Sequence, residues 1–234
     1  MDKVLELQNM ISESKDIVFF TGAGVSTDSG LKDFRSKDGL YNMHYDYPPE
    51  KILSHYFFMN NTEYFYKFYK ENLNSLKYEP NLFHKYLKKL EKNKNVTIIT
   101  QNIDGLHTKA GSNNVLELHG SIYHNYCMQC HKSYPPEKIF NDNFYCECGG
   151  IIKPDVILYD EALNEDVINN SLKAIIKADL LIVVGTSLLV YPAASLIDYC
   201  NGKIVIINND KTPFDYKATL VINKPIIEIF RNLK

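Results

Sequence analysis

The sequence predicts an α/β fold: a parallel sheet covered by helices on both faces, interrupted by a small inserted lobe. Three observations predict it. Short apolar runs end at glycine or polar segments, helical patterns lie between those runs, and two stretches, 41–78 and 123–153, break the alternation.

The first strand covers 16–20, apolar from Ile17 onward and stopped by Thr21-Gly22-Ala23-Gly24, as a buried parallel strand meets a glycine turn. A helix is expected soon after. Residues 96–99, 179–184 and 203–207 repeat the pattern, and helical spacing covers 80–91, 164–177 and 192–199. Ligands of such sheets bind beyond the carboxyl ends of the strands. The stretch 41–78 is crowded with Tyr, Phe, Asn and Lys, and aromatics at helical spacing over 62–76 mark it as a helical insertion. The stretch 123–153 has little apolar periodicity and too small a core to fold without a staple.

Its cysteines supply one. Cys127-x-x-Cys130 and Cys146-x-Cys148 offer four thiolates for a closed tetrahedral zinc shell, which leaves no position for water and so argues for a structural ion. The other reading is four unliganded thiols or a redox pair, supported by the single spacer residue in the second pair. Gly149 and Gly150 follow at once and are expected to let the backbone fold round the metal. Cys200 reads as an ordinary core thiol.

Gly22-Ala23-Gly24 could set backbone N–H groups against a pyrophosphate or make a simple tight turn, since the third glycine of the dinucleotide fingerprint is displaced to Gly30. Phe34 and Arg35 suit a ligand with both a flat ring and phosphates, or are a core ring and a surface cation. Gln101, Asn102 and Asp104 follow a buried strand directly, where they would face the crevice. His119 follows another short apolar run; alone such a histidine is more often structural than catalytic, and its weight comes only from that company.

The chain has 234 residues, 45% hydrophobic and 23% charged, with a formal net charge of −2. That charge supplies no field for nucleic acid or an anionic membrane. Neither a secretory signal pattern at 1–16 nor a bilayer-length apolar run is present in the sequence, so a reducing, cytoplasmic setting is expected.

Six segments in order resemble the sirtuins, NAD-dependent protein deacylases: 21–36 (TGAGVSTDSGLKDFRS), 100–107 (TQNIDGLH), 117–120 (ELHG), the four-cysteine ribbon, 153–161 (KPDVILYDE) and 185–194 (GTSLLVYPAA). The resemblance implies a Rossmann-like NAD-binding domain of 1–40, 79–122 and 154–234. The helical module 41–78 and zinc ribbon 123–153 would form the small domain. NAD and an acyl-lysine peptide would enter the cleft between them from opposite sides. Carried over by position, Gly22, Ala23 and Thr27 are expected at the phosphates and ribose, and Phe34 and Arg35 over the reacting end. Gln101 and Asn102 would lie near the nicotinamide ribose, with Ile103 and Asp104 around nicotinamide and the Asp holding its carboxamide. Thr186, Ser187 and Asn208 would line the adenosine half, and Ile226 would touch adenine. His119 would be the general base, with Asn102 as the second catalytic residue. The substrate backbone would pair with the segments at Val156 and Leu188. The implied products are nicotinamide, free lysine and O-acyl-ADP-ribose.

Three departures stand out. Leu31-Lys32 replaces the usual Ile-Pro of the cofactor loop, and the second cysteine pair is one residue short. Sirtuins that prefer acidic acyl groups carry Tyr-x-x-Arg in the helical module, where this chain has Tyr66-x-x-Tyr69. A missing Arg removes the bidentate partner for a carboxylate, so an uncharged acyl group is expected. Mono-ADP-ribosyl transfer at the same cofactor site, a zinc-ribbon nucleotide sensor without turnover, and a dehydrogenase are the competing readings.

Overall fold

The computed structural model describes residues 2–233. Helix α1 (Lys3–Glu13), capped by the Asp2 carboxylate on the Val4 N–H, leads into β1 (Asp16–Thr21). The strands continue as β2 (Asn95–Thr100), β3 (Val115–Glu117), β4 (Gly120–Cys127), β5 (Ser133–Tyr134), β6 (Ile152–Val156), β7 (Leu180–Val184), β8 (Lys203–Ile207) and β9 (Leu220–Ile222). Among the described residues two sheets form. One is parallel throughout, in the order β3-β2-β1-β7-β8-β9, and the other is antiparallel, β5-β4-β6. The helices are α2 (Pro49–Ile52), α3 (His55–Asn60), α4 (Thr62–Asn72), α5 (Leu82–Leu90), α6 (Leu106–Lys109), α7 (Pro136–Asn141), α8 (Glu165–Lys177) and α9 (Ile226–Asn232).

Both faces of the large sheet are covered, which is why its strands are near-continuous apolar runs. Successive residues of β1 serve opposite layers. Ile17 and Phe19 pack with Leu7 of α1, Phe83 and Leu87 of α5 and Phe230 of α9. Val18 and Phe20 pack with Ile175 of α8 and Ile197. From β1 the chain steps outward through β2 and β3, and later from β7 through β8 and β9. The order therefore reverses between β1 and β7, and a crevice opens at such a switch point.

Two expected helices are tighter than predicted. Residues Ala23–Ser29 and Ala193–Tyr199 form 3₁₀ turns. The first is pinned from outside its own length, because the Gly22 N–H donates to the Val184 carbonyl and the Gly24 N–H to that of Gly185. The segment 164–177 is helical as expected from Glu165, with Asn164 as its N-cap.

The inserted stretches share one core. Phe57, Phe58, Phe65, Tyr66 and Tyr69 of the helical module pack with Ile122, Ile139, Ile152 and Val156 of the ribbon. The ribbon's sheet begins at Gly120 and ends at Val156, so its strands continue a few residues beyond the cysteine-bearing stretch, up to the cleft. No helix among the described residues is long and apolar enough to cross a membrane.

Candidate active site and zinc centre

The four ribbon cysteines come together: their sulfur atoms all lie within 4.8 Å of one another. Cys127 and Cys148 are 3.5 Å apart, as are Cys130 and Cys146. A tetrahedron of sulfurs about 2.3 Å from zinc has edges of roughly 3.8 Å, so the set fits that ion. The donor environment agrees, since the N–H groups of Gln129 and Cys130 point at the Cys127 sulfur. The short Cys-x-Cys pair is accommodated by its glycines. Gly149 takes φ +84°, and a Cβ on Gly150 would lie 2.7 Å from the Cys127 sulfur. Cys200 stands apart, packed against the apolar layer of α8.

At the β1/β7 switch point a cleft of about 430 Å³ opens between the sheet and the inserted lobe. Its floor is main chain. A Cβ on Gly22 would lie 2.7 Å from the Thr186 Cβ, and one on Gly24 2.8 Å from the Gly185 Cα, so the two loops meet only because both positions are glycine. This bare cradle, ringed by polar side chains, fits a dinucleotide.

The strand ends deliver the polar groups. Gln101, Asn102, Ile103 and Asp104 follow β2, Thr186 and Ser187 follow β7, Asn208 follows β8, and Ile226 opens α9; all line the cleft. Gly22, Ala23 and Thr27 line it below β1, and Phe34 and Arg35 close it from the 31–41 loop.

Within it, one network is buried. The Asn102 side-chain amide donates to the Gly22 carbonyl at 3.1 Å and to the Ser26 hydroxyl at 3.2 Å. Ser26 in turn donates to the Asp104 carboxylate at 2.6 Å, whose other oxygen accepts the Leu106 N–H at 2.9 Å. Burial raises the Asp104 pKa, and these two donors hold it back. Ser26 is the residue missed by the sequence reading. Its position in the turn after Gly24 was the available signal.

His119 also lines the cleft, with Nδ1 2.9 Å from the Gln101 carbonyl. A carbonyl only accepts, so Nδ1 carries the proton and Nε2 is left with its lone pair. Burial lowers the pKa of this imidazole below its ordinary value, keeping it neutral. The following Gly120 has φ +71°, and a Cβ there would overlap the Asp155 carbonyl. That turn lets His119 accept the Ile157 N–H on its own carbonyl at 2.9 Å.

The opposite wall is the segment after β6. Val156, Ile157, Leu158, Tyr159, Asp160 and Glu161 line the cleft. Tyr159 is strapped to the helical module, its N–H donating to Leu53 and its carbonyl accepting from His55. Glu161 holds the segment from below, bonding the buried Lys153 amine at 3.1 Å and His55 at 2.8 Å.

Two predicted residues lie elsewhere. Tyr66 stacks on Phe144 with centroids 4.1 Å apart and donates to the Ile152 carbonyl, while Tyr69 stacks on Phe140 at 5.4 Å. Both are fully buried inside the lobe and do not line the cleft. Their aromatic partners come from the ribbon, which claims the helix face assigned above to an acyl group. The Leu188 side chain is buried in the core at 1% exposure, so the pairing expected there would involve its main chain.

The Sir2 family model matches residues 22–192. An NAD-dependent protein deacetylase of Clostridium acetobutylicum is 51% identical, covering 100% of this chain and 98% of that protein. Another from Clostridium tetani is 53% identical over 97% of this chain and 95% of its own length. A solved structure described as Sir2 with p53 peptide and NAD+ superposes with a TM-score of 0.87 at 39% identity, over 97% of this chain and 95% of that one. A further Sir2 structure, described as holding deacetylated p53 peptide and 3'-O-acetyl-ADP-ribose, gives a TM-score of 0.90 at 38% identity, over 97% and 96%. The fold and cleft define a nucleotide-binding α/β protein with a cysteine-stapled lobe. The chain belongs to the Sir2 family.

Proposed function

We propose that this chain is an NAD-dependent protein lysine deacylase, giving nicotinamide, free lysine and O-acyl-ADP-ribose. The observation that carries it is a neutral imidazole with an open Nε2 on the same cleft as the Asn102–Ser26–Asp104 network. Bound NAD supplies an activated ribose carbon whose leaving group is nicotinamide.

The protein's own groups do the rest. His119 Nε2 acts as general base toward a ribose hydroxyl, a task suited to an imidazole that is neutral at working pH. Gln101 fixes its tautomer through the main chain. Asn102 is oriented by Gly22 and Ser26 toward the reacting end, and Asp104 with Ile103 holds the carboxamide. Gly22, Ala23 and Thr27 meet phosphates and ribose, Phe34 and Arg35 cover the reacting end, and Thr186, Ser187, Asn208 and Ile226 take the adenosine half. The four cysteines would hold a structural zinc, which would keep the ribbon folded.

An acyl-lysine peptide adds as a strand along the segment that begins at Val156. Support comes from β6, which ends at Val156 and is an edge strand of its sheet, leaving one side of its main chain for pairing there. The main chain at Leu188 flanks the other side. Apolar Leu53, Leu73, Ile103, Val156 and Leu158 line this part of the cleft. The cations lining the cleft are Lys32 and Arg35, both on the cofactor loop, so an acidic acyl group finds no partner and an uncharged one is accepted. We also place the protein in the cytoplasm, where a four-thiolate set stays reduced.

The test is incubation of the zinc-loaded protein with an acetyl-lysine peptide and NAD. Nicotinamide release that depends on both is expected, and His119→Ala should lower turnover by about 10²–10⁴-fold while NAD still binds. NAD label left on an acceptor protein would instead indicate ADP-ribosyl transfer, and full activity of His119→Ala would remove the base from the mechanism.

A further inference from the structure

The loop that closes the cofactor side of the cleft has little regular structure to hold it. It is a compact curl: the Tyr41 N–H donates to the Phe34 carbonyl at 2.8 Å and the Leu40 N–H to that of Asp33 at 2.9 Å. The Tyr41 ring forms its base, with Phe34 edge-on at 5.5 Å and the Arg35 guanidinium 5.1 Å above the ring centre. Wherever Tyr41 sits, Phe34 and Arg35 sit with it.

Tyr41 is itself anchored across the cleft. Its hydroxyl lies 2.5 Å from the hydroxyl of Tyr159, a residue 118 positions away on the opposite wall. Tyr159 is fixed by two main-chain bonds to the helical module, and Ile157, two residues before it, bonds the His119 carbonyl. A continuous path of contacts thus runs from Phe34 and Arg35 through the hydroxyl pair to the segment beside His119. Both tyrosines line the cleft.

We propose that the Tyr41–Tyr159 hydroxyl pair is a positioning latch through which cofactor and acyl-peptide strengthen each other's binding. The inference rests on the reading above, in which Phe34 and Arg35 meet NAD and the 156–160 segment meets the peptide. The two main-chain bonds fix only the Tyr159 backbone, and the residue is 37% exposed; a peptide laid beside Val156 covers its ring, the ring holds Tyr41, and the cofactor loop is ordered before NAD arrives. The coupling is reciprocal, so NAD improves peptide affinity by the same factor. Burial raises the Tyr41 pKa, with the Tyr159 contact adding to it, so its hydroxyl keeps its proton. Neither tyrosine touches the reacting atoms; they act through the loop and the strand.

A neutral hydrogen bond of this kind is worth a factor of about 3–10 in an equilibrium constant. The experiment measures NAD affinity by calorimetry with and without saturating acetyl-lysine peptide, in a His119→Ala background that prevents turnover. Tyr41→Phe, Tyr159→Phe and the double variant keep both rings, and melting curves check that each is folded. In each single variant the with/without-peptide affinity ratio should fall about 3–10-fold, while NAD affinity alone changes less than about twofold. The double variant should lose no more than either single one. With His119 restored, peptide KM should rise by a similar factor at low NAD with kcat nearly unchanged. An unchanged ratio in the single variants, or losses that multiply in the double one, overturns the latch. Absence of NAD-dependent deacylation in the unaltered protein would instead overturn the functional reading itself.

Discussion

Ser26 is where two expected site residues meet. It donates to Asp104 and accepts from Asn102, and it is 2% exposed. Removing its hydroxyl leaves a buried amide hydrogen and a buried carboxylate short of partners, each costly in a dry site. Ser26→Ala should therefore lower stability by about 1–3 kcal/mol and weaken NAD binding about tenfold, read by urea unfolding and calorimetry. Unchanged NAD affinity would mean that Asp104 holds its orientation without the serine. The location of Gln101, Asn102 and Asp104 at the cleft was legible in the sequence because polar side chains directly follow a buried strand there, whereas that of Thr186 came through the family resemblance. The places of Tyr66 and Tyr69 were not legible. Helical spacing says that Tyr66 and Tyr69 share a face, yet whether that face meets a ligand or the rings of Phe140 and Phe144 depends on a segment some 70 residues away.

Among the elements, the strands of the large sheet were legible because burial on both faces leaves an uninterrupted apolar run. The 3₁₀ turns were not, because residues three and four apart both recur in short helices and the choice is made by bonds to remote strands. At 23–29 those bonds reach Val184 and Gly185. The ribbon was legible through its cysteines alone. Its core is shared with the helical module, so a zinc ion on the four cysteines would supply part of its folding free energy. Cys127→Ala is expected to lose stoichiometric zinc and to unfold the lobe, measured by metal analysis and near-UV circular dichroism. Retained zinc with full stability would show that three thiolates suffice. Because β6 carries the wall beyond Val156, peptide affinity should fall with the metal.

For the whole molecule, one contribution to acid sensitivity comes from a buried pair of imidazoles near the end of β1. The rings of His84 and His107 are 4.7 Å apart. His107 lies 3.2 Å from the Thr21 hydroxyl, and His84 bonds Asn81 at the start of α5. Burial pushes His84 down to about 4, and burial together with His84 holds His107 well below the ordinary imidazole value. The folded state thus takes up protons at lower pH than the unfolded chain does. Stability from this pair is complete above about pH 6.5 and falls as pH drops below it, by about 1.4 kcal/mol per unit per imidazole, down to the folded pKa. Burial raises Glu117 to about 7, which works in the opposite sense over the same window, so the pair is read by difference: in urea unfolding between pH 7.5 and 5, His84→Leu should reduce the loss of stability with falling pH by about one proton. An identical slope in that variant would place the acid sensitivity elsewhere.

The meeting of Gly22 and Gly24 with Gly185 has a consequence for how this scaffold can vary. The seam between the two halves of the sheet is made of atoms common to all amino acids, so there is no chemical character in it to retune, only a spacing to preserve. New ligand preferences have to be written on the rims instead. A library that randomises 31–36 and 187–191 while sparing the seam would explore altered selectivity in chains that still fold, whereas one that includes the seam would spend most of its members on broken sheets.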